Sequence, residues 1–202
     1  PKLTLYLKNL ERKLKSDGLE KAFYVVASNG GMMTADTAIR HASATLLSGP
    51  AAGATGAVFF ANLTGIRNLI LMDMGGTSFD VSLINDGDIT LSTEGEIAGY
   101  RVAKPMIDIH TIGAGGGSVA WIDQWGMLNV GPESAYSNPG PVCYDRGGEK
   151  IAVTDANLLL GYLNKDFFLG GEMKINYDKC RRLMQEKIAD RMGLSIEEAA
   201  CG

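Results

Sequence analysis

Apolar residues along this chain change their spacing segment by segment, and the spacing predicts the elements. Leu3, Tyr6, Leu7, Leu10 and Leu14 recur every three or four residues, which predicts an amphipathic helix over 3–16. Phe23 to Ala27 is a β-branched and aromatic run that breaks at Ser28-Asn29-Gly30-Gly31, the pattern of a buried strand ending in a turn. Residues 48–65 return to helical spacing, with Pro50 suited to the first turn and Gly65 to the C-terminal cap. Gly49, Gly53 and Ala57, and also Ala52 and Gly56, fall four apart, so one helix face is nearly bare and open to a neighbouring backbone or ligand. Asn68 to Met74 and Phe79 to Ile84 read as buried strands, Asn85 to Asp88 as a turn, and Ile89 to Ser92 as a third strand, together a β-meander.

Further on, Ile107 to His110 leads into a glycine loop, GAGGGS, at 113–118. Val119 to Asp123 and Met127 to Val130 form a predicted hairpin about Gln124-Trp125-Gly126, and residues 131–148 are a long Pro- and Gly-rich loop of the kind that is functional or mobile. Thr154 is placed to cap a helix through Tyr162, and a second helix runs from Tyr177 to Met192 and stops at Gly193. Ser195 to Glu198 is a capping box whose helix has hardly begun when the sequence stops, and the other end starts on Pro1. The expectation is that residues 1–202 are one central fragment of a longer chain, α/β in class, with a mixed sheet and the meander.

Composition narrows the function. Hydrophobic residues make up 46% and charged residues 21%, as in an ordinary globular protein, and a net charge of −4 argues against a nucleic-acid partner. The densest basic run, Lys8 to Lys15, alternates with leucines and reads as the wet face of the first helix. Three scattered cysteines and two histidines leave no closed zinc site and fit a reducing, cytoplasmic setting. No run of about 18 apolar residues is present, so no membrane partner is expected. The 26 glycines are clustered, which marks tight turns and close backbone approaches.

The strongest site candidate is Asp73-Met74-Gly75-Gly76-Thr77-Ser78-Phe79-Asp80, set between two apolar strands. Gly75 and Gly76 allow main-chain N–H groups to converge on an anion, and Thr77 and Ser78 add hydroxyl donors. Asp73 suits Mg²⁺, held directly or through water, and Asp80 suits orienting a ligand or bracing the turn; the plain alternative is a glycine hairpin. His110, beside Asp108, is a candidate for contact with substrate, phosphate or metal, against a merely structural role. Gly115, Gly116 and Gly117 form a candidate second anion nest or a tight turn; the loop lacks the GxGxxG spacing of a dinucleotide site. Ser48 and Gly49 open a helix and either present N–H groups to phosphate or serve close packing, and Asn29 to Gly31 is a weaker version of the same. Asp155 reads as an acid complementing a helix dipole, Cys143 as a weak nucleophile candidate, and Trp121 and Trp125 as packing residues.

Taken in order, SNGG (28–31), SGPAAGATGA (48–57), DMGGTSFDV (73–81), DIHTIGAGGGS (108–118), NPGPVCYDRGG (138–148) and TDAN (154–157) resemble the A-type subunit of the hydantoinase/oxoprolinase family over nearly the whole chain. The resemblance implies an actin-like ATPase fold of two ribonuclease H-like halves with nucleotide between them, and makes residues 73–80 the second of its two phosphate turns. The first turn and the glycine-rich segment around the adenosine are missing from this sequence, so the fragment is expected to be inactive alone. It also implies ATP and Mg²⁺ as cofactors, a cyclic amide of the hydantoin or 5-oxoproline class as substrate, phosphorylation of the amide oxygen before ring opening, and a companion B-type subunit or domain. The alternatives are a ketone carboxylase subunit and a non-catalytic actin-like nucleotide-binding module. A sugar or acetate kinase relative would share the glycine–acid turn but not the SGPAAGATGA and NPGPVCYDRGG segments.

Overall fold

The computed structural model describes residues 1–97 and 99–202, and the chain divides into two compact units. The first comprises Pro1–Asp73 with Asp80–Thr111, and the second Met74–Phe79 with Ile112–Gly202.

In the first unit, helix α1 (Lys2–Ser16) buries Leu7 and packs on α2 (Ala35–Arg40). Strand β1 (Tyr24–Val26) pairs antiparallel with β2 (Met32–Thr34), with Val26 opposite Met32. The turn between them needs Gly30: its φ is +82°, and a Cβ there would lie 2.7 Å from Thr55 Oγ1. Thr34 caps α2 by accepting the Thr37 N–H at 3.3 Å. Helix α3 (Ser48–Thr64) ends, as its spacing predicts, on Gly65 in the left-handed region. Its packed face is made by Ala51, Ala54 and Ala61, however; Gly53 alone among the helix glycines meets a neighbour, the Leu71 side chain, while Gly49 and Gly56 face open space.

Strand β4 (Phe79–Asn85) lies between β3 (Leu69–Met74) and β10 (Ile109–Ile112), and also pairs with β5 (Asp88–Ile89). Asp86 and Gly87, at φ +53° and +88°, make the two-residue turn that brings Asn85 opposite Asp88. The predicted third strand divides after Ile89. Strand β6 (Leu91–Ser92) leaves to pair antiparallel with β9 (Met106–Ile107), and β7 (Gly95–Ile97) pairs with β8 (Tyr100–Val102). The meander therefore holds for β3, β4 and β5 only.

Strand β3 departs from expectation as well. Its apolar run predicts burial on both faces, yet Ile70, Met72 and Met74 are 66%, 66% and 52% exposed. Leu71 packs into the small core of Ala51, Ala54 and Ile107 under α3, and no described element of this unit covers the opposite face.

The second unit is built on the hairpin of β11 (Ser118–Ile122) and β12 (Leu128–Ser134), longer than its sequence predicts. At its tip the Asp123 carboxylate accepts the N–H groups of Trp125 and Met127, each at 2.9 Å, and these donors, Met127 first, hold its pKa below the ordinary value. Trp121 is half exposed and donates its Nε1–H to the Gly131 carbonyl, while Trp125 stands in solvent at the tip rather than packing. Helices α4 (Val153–Leu159) and α5 (Tyr177–Met184) follow; α5 continues through a π turn (Gln185–Ala189) into α6 (Asp190–Met192) and stops at Gly193, φ +68°. Ser195 and Glu198 form the predicted reciprocal box at the start of α7 (Ile196–Cys201). Val142, Cys143, Ile151, Leu158, Cys180 and Met184 centre the core. Residues 140–143, in the middle of the long loop, are buried, so that loop is anchored where mobility was an expectation.

Candidate functional site

Residues 75–78 form a tight turn closed by the Gly75 N–H donating to the Ser78 carbonyl at 2.9 Å. The glycine loop supports this turn from one side. Gly116 N–H donates to the Gly75 carbonyl at 2.9 Å, and Gly117 N–H to the Gly76 carbonyl at 2.7 Å. In a planar trans peptide the C=O and the following N–H point in opposite directions. Drawing the carbonyls of Gly75 and Gly76 toward the loop therefore turns the N–H groups of Gly76 and Thr77 away from it. Among the described residues neither N–H donates to a protein acceptor, and both residues are exposed. Two outward donors on adjacent residues, with the Thr77 and Ser78 side chains beside them, have the arrangement that an anion-binding nest requires.

The loop itself is committed. Gly115 N–H goes to Ser118 Oγ at 2.9 Å, Ser118 N–H returns to the Gly115 carbonyl at 2.9 Å, and Gly116 and Gly117 donate as above. The N–H groups of residues 115–118 thus serve protein acceptors; Gly115 and Gly117 let backbone lie on backbone, and Gly116 leaves room for the Thr154 hydroxyl. A Cβ on Gly115 would sit 2.7 Å from the Gly75 carbonyl oxygen and 2.8 Å from both Gly76 C and Thr77 N.

Thr154 completes the frame. It caps nothing, because α4 begins at Val153; instead its N–H and its hydroxyl both donate to the Gly116 carbonyl at 2.7 Å. By the same trans-peptide geometry this aims the Gly117 N–H at the Gly76 carbonyl. The next residue, Asp155, does more than complement a dipole. Fully buried, its carboxylate accepts the N–H groups of Val142 at 3.1 Å, Cys143 at 2.8 Å and Ala152 at 2.9 Å. That ties the long loop to the first turn of α4, and the Asn176 N–H holds the Cys143 carbonyl at 2.8 Å from the other side.

The remaining candidates belong to the first unit. Asp73 is an exposed carboxylate at the end of β3, and Asp80, at the start of β4, accepts the Thr111 hydroxyl at 2.6 Å, a bracing contact. His110 is exposed on β10. Ser48 and Gly49 are the first residues of α3, entered from Leu47 in the left-handed conformation at φ +52°. Among the described residues, no group of three or more His, Cys, Asp or Glu side chains converges as a metal cluster, and no helix is long and apolar enough to cross a membrane.

Cys143 is removed from consideration as a nucleophile. Burial first, and the neighbouring Asp155 carboxyl second, push its thiol far above the usual range, and the same two causes act on Cys180. Iodoacetamide at about pH 8 is expected to label the exposed Cys201 in the folded protein and to reach Cys143 and Cys180 only after urea unfolding. Peptide mass mapping reads the sites, and native labelling at Cys143 would contradict the buried geometry.

Comparison with known proteins places the chain. It belongs to the hydantoinase/oxoprolinase family, whose model matches residues 1–202. Its fold is the α/β, ribonuclease H-like fold of the actin-like ATPases, present in part: the nucleotide-free structure of acetone carboxylase superposes with a TM-score of 0.82 at 34% identity, over 96% of this chain and 27% of that one. Among the relatives, the caprolactamase subunit alpha of Pseudomonas jessenii is 41% identical over 202 residues, all of this chain and 29% of its own length. The acetophenone carboxylase gamma subunit of Aromatoleum aromaticum is 43% identical over 190 residues, 93% of this chain and 26% of its own. The chain thus spans less than a third of the length of these relatives.

Proposed function

We propose that this chain is the central, phosphate-holding part of an ATP-dependent enzyme that opens cyclic amides, of the hydantoinase or 5-oxoprolinase kind, and that it acts only within a longer protein. The observation that carries this reading is the pair of outward N–H groups at Gly76 and Thr77, held by peptide planes reaching back to Thr154. Phosphoryl transfer is catalysed chiefly by positioning and charge neutralisation, and fixed N–H donors supply both. Gly75, Gly76, Thr77 and Ser78 hold phosphate oxygens, and Gly115, Gly116 and Gly117 support them from behind. In the first unit, Ser48 and Gly49 at the start of α3 are assigned N–H groups for an anion, and His110 on β10 a contact with substrate. The first phosphate turn and the adenosine segment are supplied from elsewhere in the parent protein.

Asp73 fits a hydrated Mg²⁺, because a lone exposed carboxylate suits an ion that keeps most of its waters. When bound, the ion neutralises charge on the phosphates. In the reaction, the amide oxygen attacks the γ-phosphorus of ATP, the bond to the bridging oxygen breaks and ADP leaves. Water then adds at the activated ring carbon, and the C–N bond breaks with the nitrogen taking up a proton and leaving as the amine. A second water hydrolyses the resulting acyl phosphate to carboxylate and phosphate, and these steps are assigned to a companion B-type subunit or domain. The free thiols of all three cysteines suit the cytoplasm. A ketone carboxylase is the second reading, favoured by the acetone and acetophenone carboxylase relatives; there the enol oxygen accepts the phosphoryl group.

The test is ATP hydrolysis by the full-length parent with its companion subunit, assayed with 5-oxoproline, hydantoins and small ketones, with and without bicarbonate. Stimulation by a cyclic amide alone supports the hydrolase, and a bicarbonate requirement supports the carboxylase. Mg-ATP binding without turnover on any substrate would leave a non-catalytic module. In the same assay Asp73→Asn is expected to lower ATP turnover by about 10²-fold or more, with an unchanged unfolding midpoint because the side chain is exposed. Unchanged turnover removes Asp73 from the mechanism.

A further inference from the structure

The second unit carries a groove of about 310 Å³ between β11 and the helical stretch after α5. Its floor is apolar, made by the buried Val119, Ile151 and Ile188. One wall is Trp121, whose ring is oriented by the 2.7 Å hydrogen bond from Nε1 to the Gly131 carbonyl. Lys150, Lys187 and Arg191 stand at the rim. Lys150 is paired with Glu133 at 2.5 Å, whereas Lys187 donates to the neutral Glu149 carbonyl at 2.7 Å and keeps its charge. Among the described residues the Arg191 side chain has neither an ion-pair nor a hydrogen-bond partner. Three cations against one carboxylate leave two positive charges uncompensated, in a chain whose net charge is −4.

Two local features of the helical stretch run against its own stability. Lys187 and Arg191 are like charges four residues apart, a spacing that disfavours a helix. The chain also widens into the π turn of Gln185–Ala189 at that point, a form that is rare and recurs at functional sites. Both put cationic side chains at the groove, and an anion there would offset the repulsion between them. Departures from local structural rules are expected where a ligand compensates them.

We propose that this groove binds a small organic anion: a carboxylate held by Arg191 and Lys187, on a flat apolar body lying against Trp121 and the floor. Carboxylate is the group chosen because the planar guanidinium fork matches it with two parallel N–H···O bonds. The apolar body is required by the floor, which offers a bare inorganic anion nothing.

Calorimetric titration of the full-length parent at physiological salt tests this with benzoate, the uncharged benzamide and inorganic phosphate. Saturable benzoate binding is expected, with benzamide and phosphate each weaker by about tenfold or more. Arg191→Gln should weaken benzoate by about tenfold without moving the unfolding midpoint, since Arg191 is exposed. The proposal is overturned by absence of saturable benzoate binding, by benzamide or phosphate binding as tightly as benzoate, or by an unchanged affinity in Arg191→Gln.

Discussion

Replacing Asp155 with alanine is expected to destabilise the protein by about 4 kcal/mol. The side chain is fully buried and accepts three main-chain N–H bonds, from Val142, Cys143 and Ala152. Its removal orphans all three donors, and each buried unsatisfied donor costs about 1–3 kcal/mol, with entering water recovering part of the total. Because whole domains are stable by only about 5–15 kcal/mol, the loss is a large fraction of what holds the second unit together. Asp155→Asn should cost about half as much, since one oxygen still accepts while the amide NH₂ confronts donors. Urea unfolding measures the loss, and amide hydrogen exchange at Val142 and Cys143 should accelerate with it. Asp166→Ala, at an exposed position, is the control and should shift stability by less than about 0.5 kcal/mol. A midpoint for Asp155→Ala equal to that of the control would refute the anchoring role.

Asp155 also shows where sequence reading stops. Features whose physics is local were legible: the helices near 3–16 and 48–65, the caps at Gly65 and Gly193, the Ser195–Glu198 box and the Asp86-Gly87 turn all depend on residues within a few positions. An acid in the first turn of a helix is equally local when it only complements the dipole. Its partners at Val142 and Cys143 lie 13 and 12 residues away, across a loop whose composition spoke for mobility. The exposed face of β3 misled for the same reason, because an apolar run records that something covers a strand but not which part of a protein does so.

The glycine loop is the sharper case. A glycine cluster has two uses, freeing N–H groups to meet a ligand or removing Cβ atoms so that two backbones can touch, and both leave the same letters in the sequence. Residues 75–77 leave two N–H groups without a protein acceptor, the geometry the first use needs, while Gly115 and Gly117 show the second. What separates them is the partner: the Gly116 carbonyl belongs to Thr154, 38 residues away, and only that bond sets the direction of the next peptide. A Thr-Asp pair just inside a helix downstream of a glycine loop is the available signal, and local rules read the Thr as a cap and the Asp as a dipole partner.

That distinction predicts unequal outcomes for two glycines only two positions apart. Gly115→Ala would place a methyl group 2.7 Å from the Gly75 carbonyl oxygen and 2.8 Å from Gly76 C and Thr77 N, all backbone atoms of the 75–78 turn. No rotamer relieves a clash with main chain, so the turn itself must move, and under the proposed function a displacement of about 1 Å there costs about 10²-fold in rate. The overpacking should also cost about 1–3 kcal/mol of stability. Gly113→Ala meets nothing within 4 Å, and its backbone is not in the left-handed region, so its ATP turnover should stay within about twofold of the parent. Both variants belong in the full-length protein, with ATP turnover, Mg-ATP affinity and the unfolding midpoint measured together. If the turn binds phosphate, Gly115→Ala loses affinity and turnover by far more than its stability loss explains at a temperature where it remains folded. If Gly115→Ala keeps its Mg-ATP affinity while losing only stability, residues 75–77 brace the fold and the nucleotide is held elsewhere.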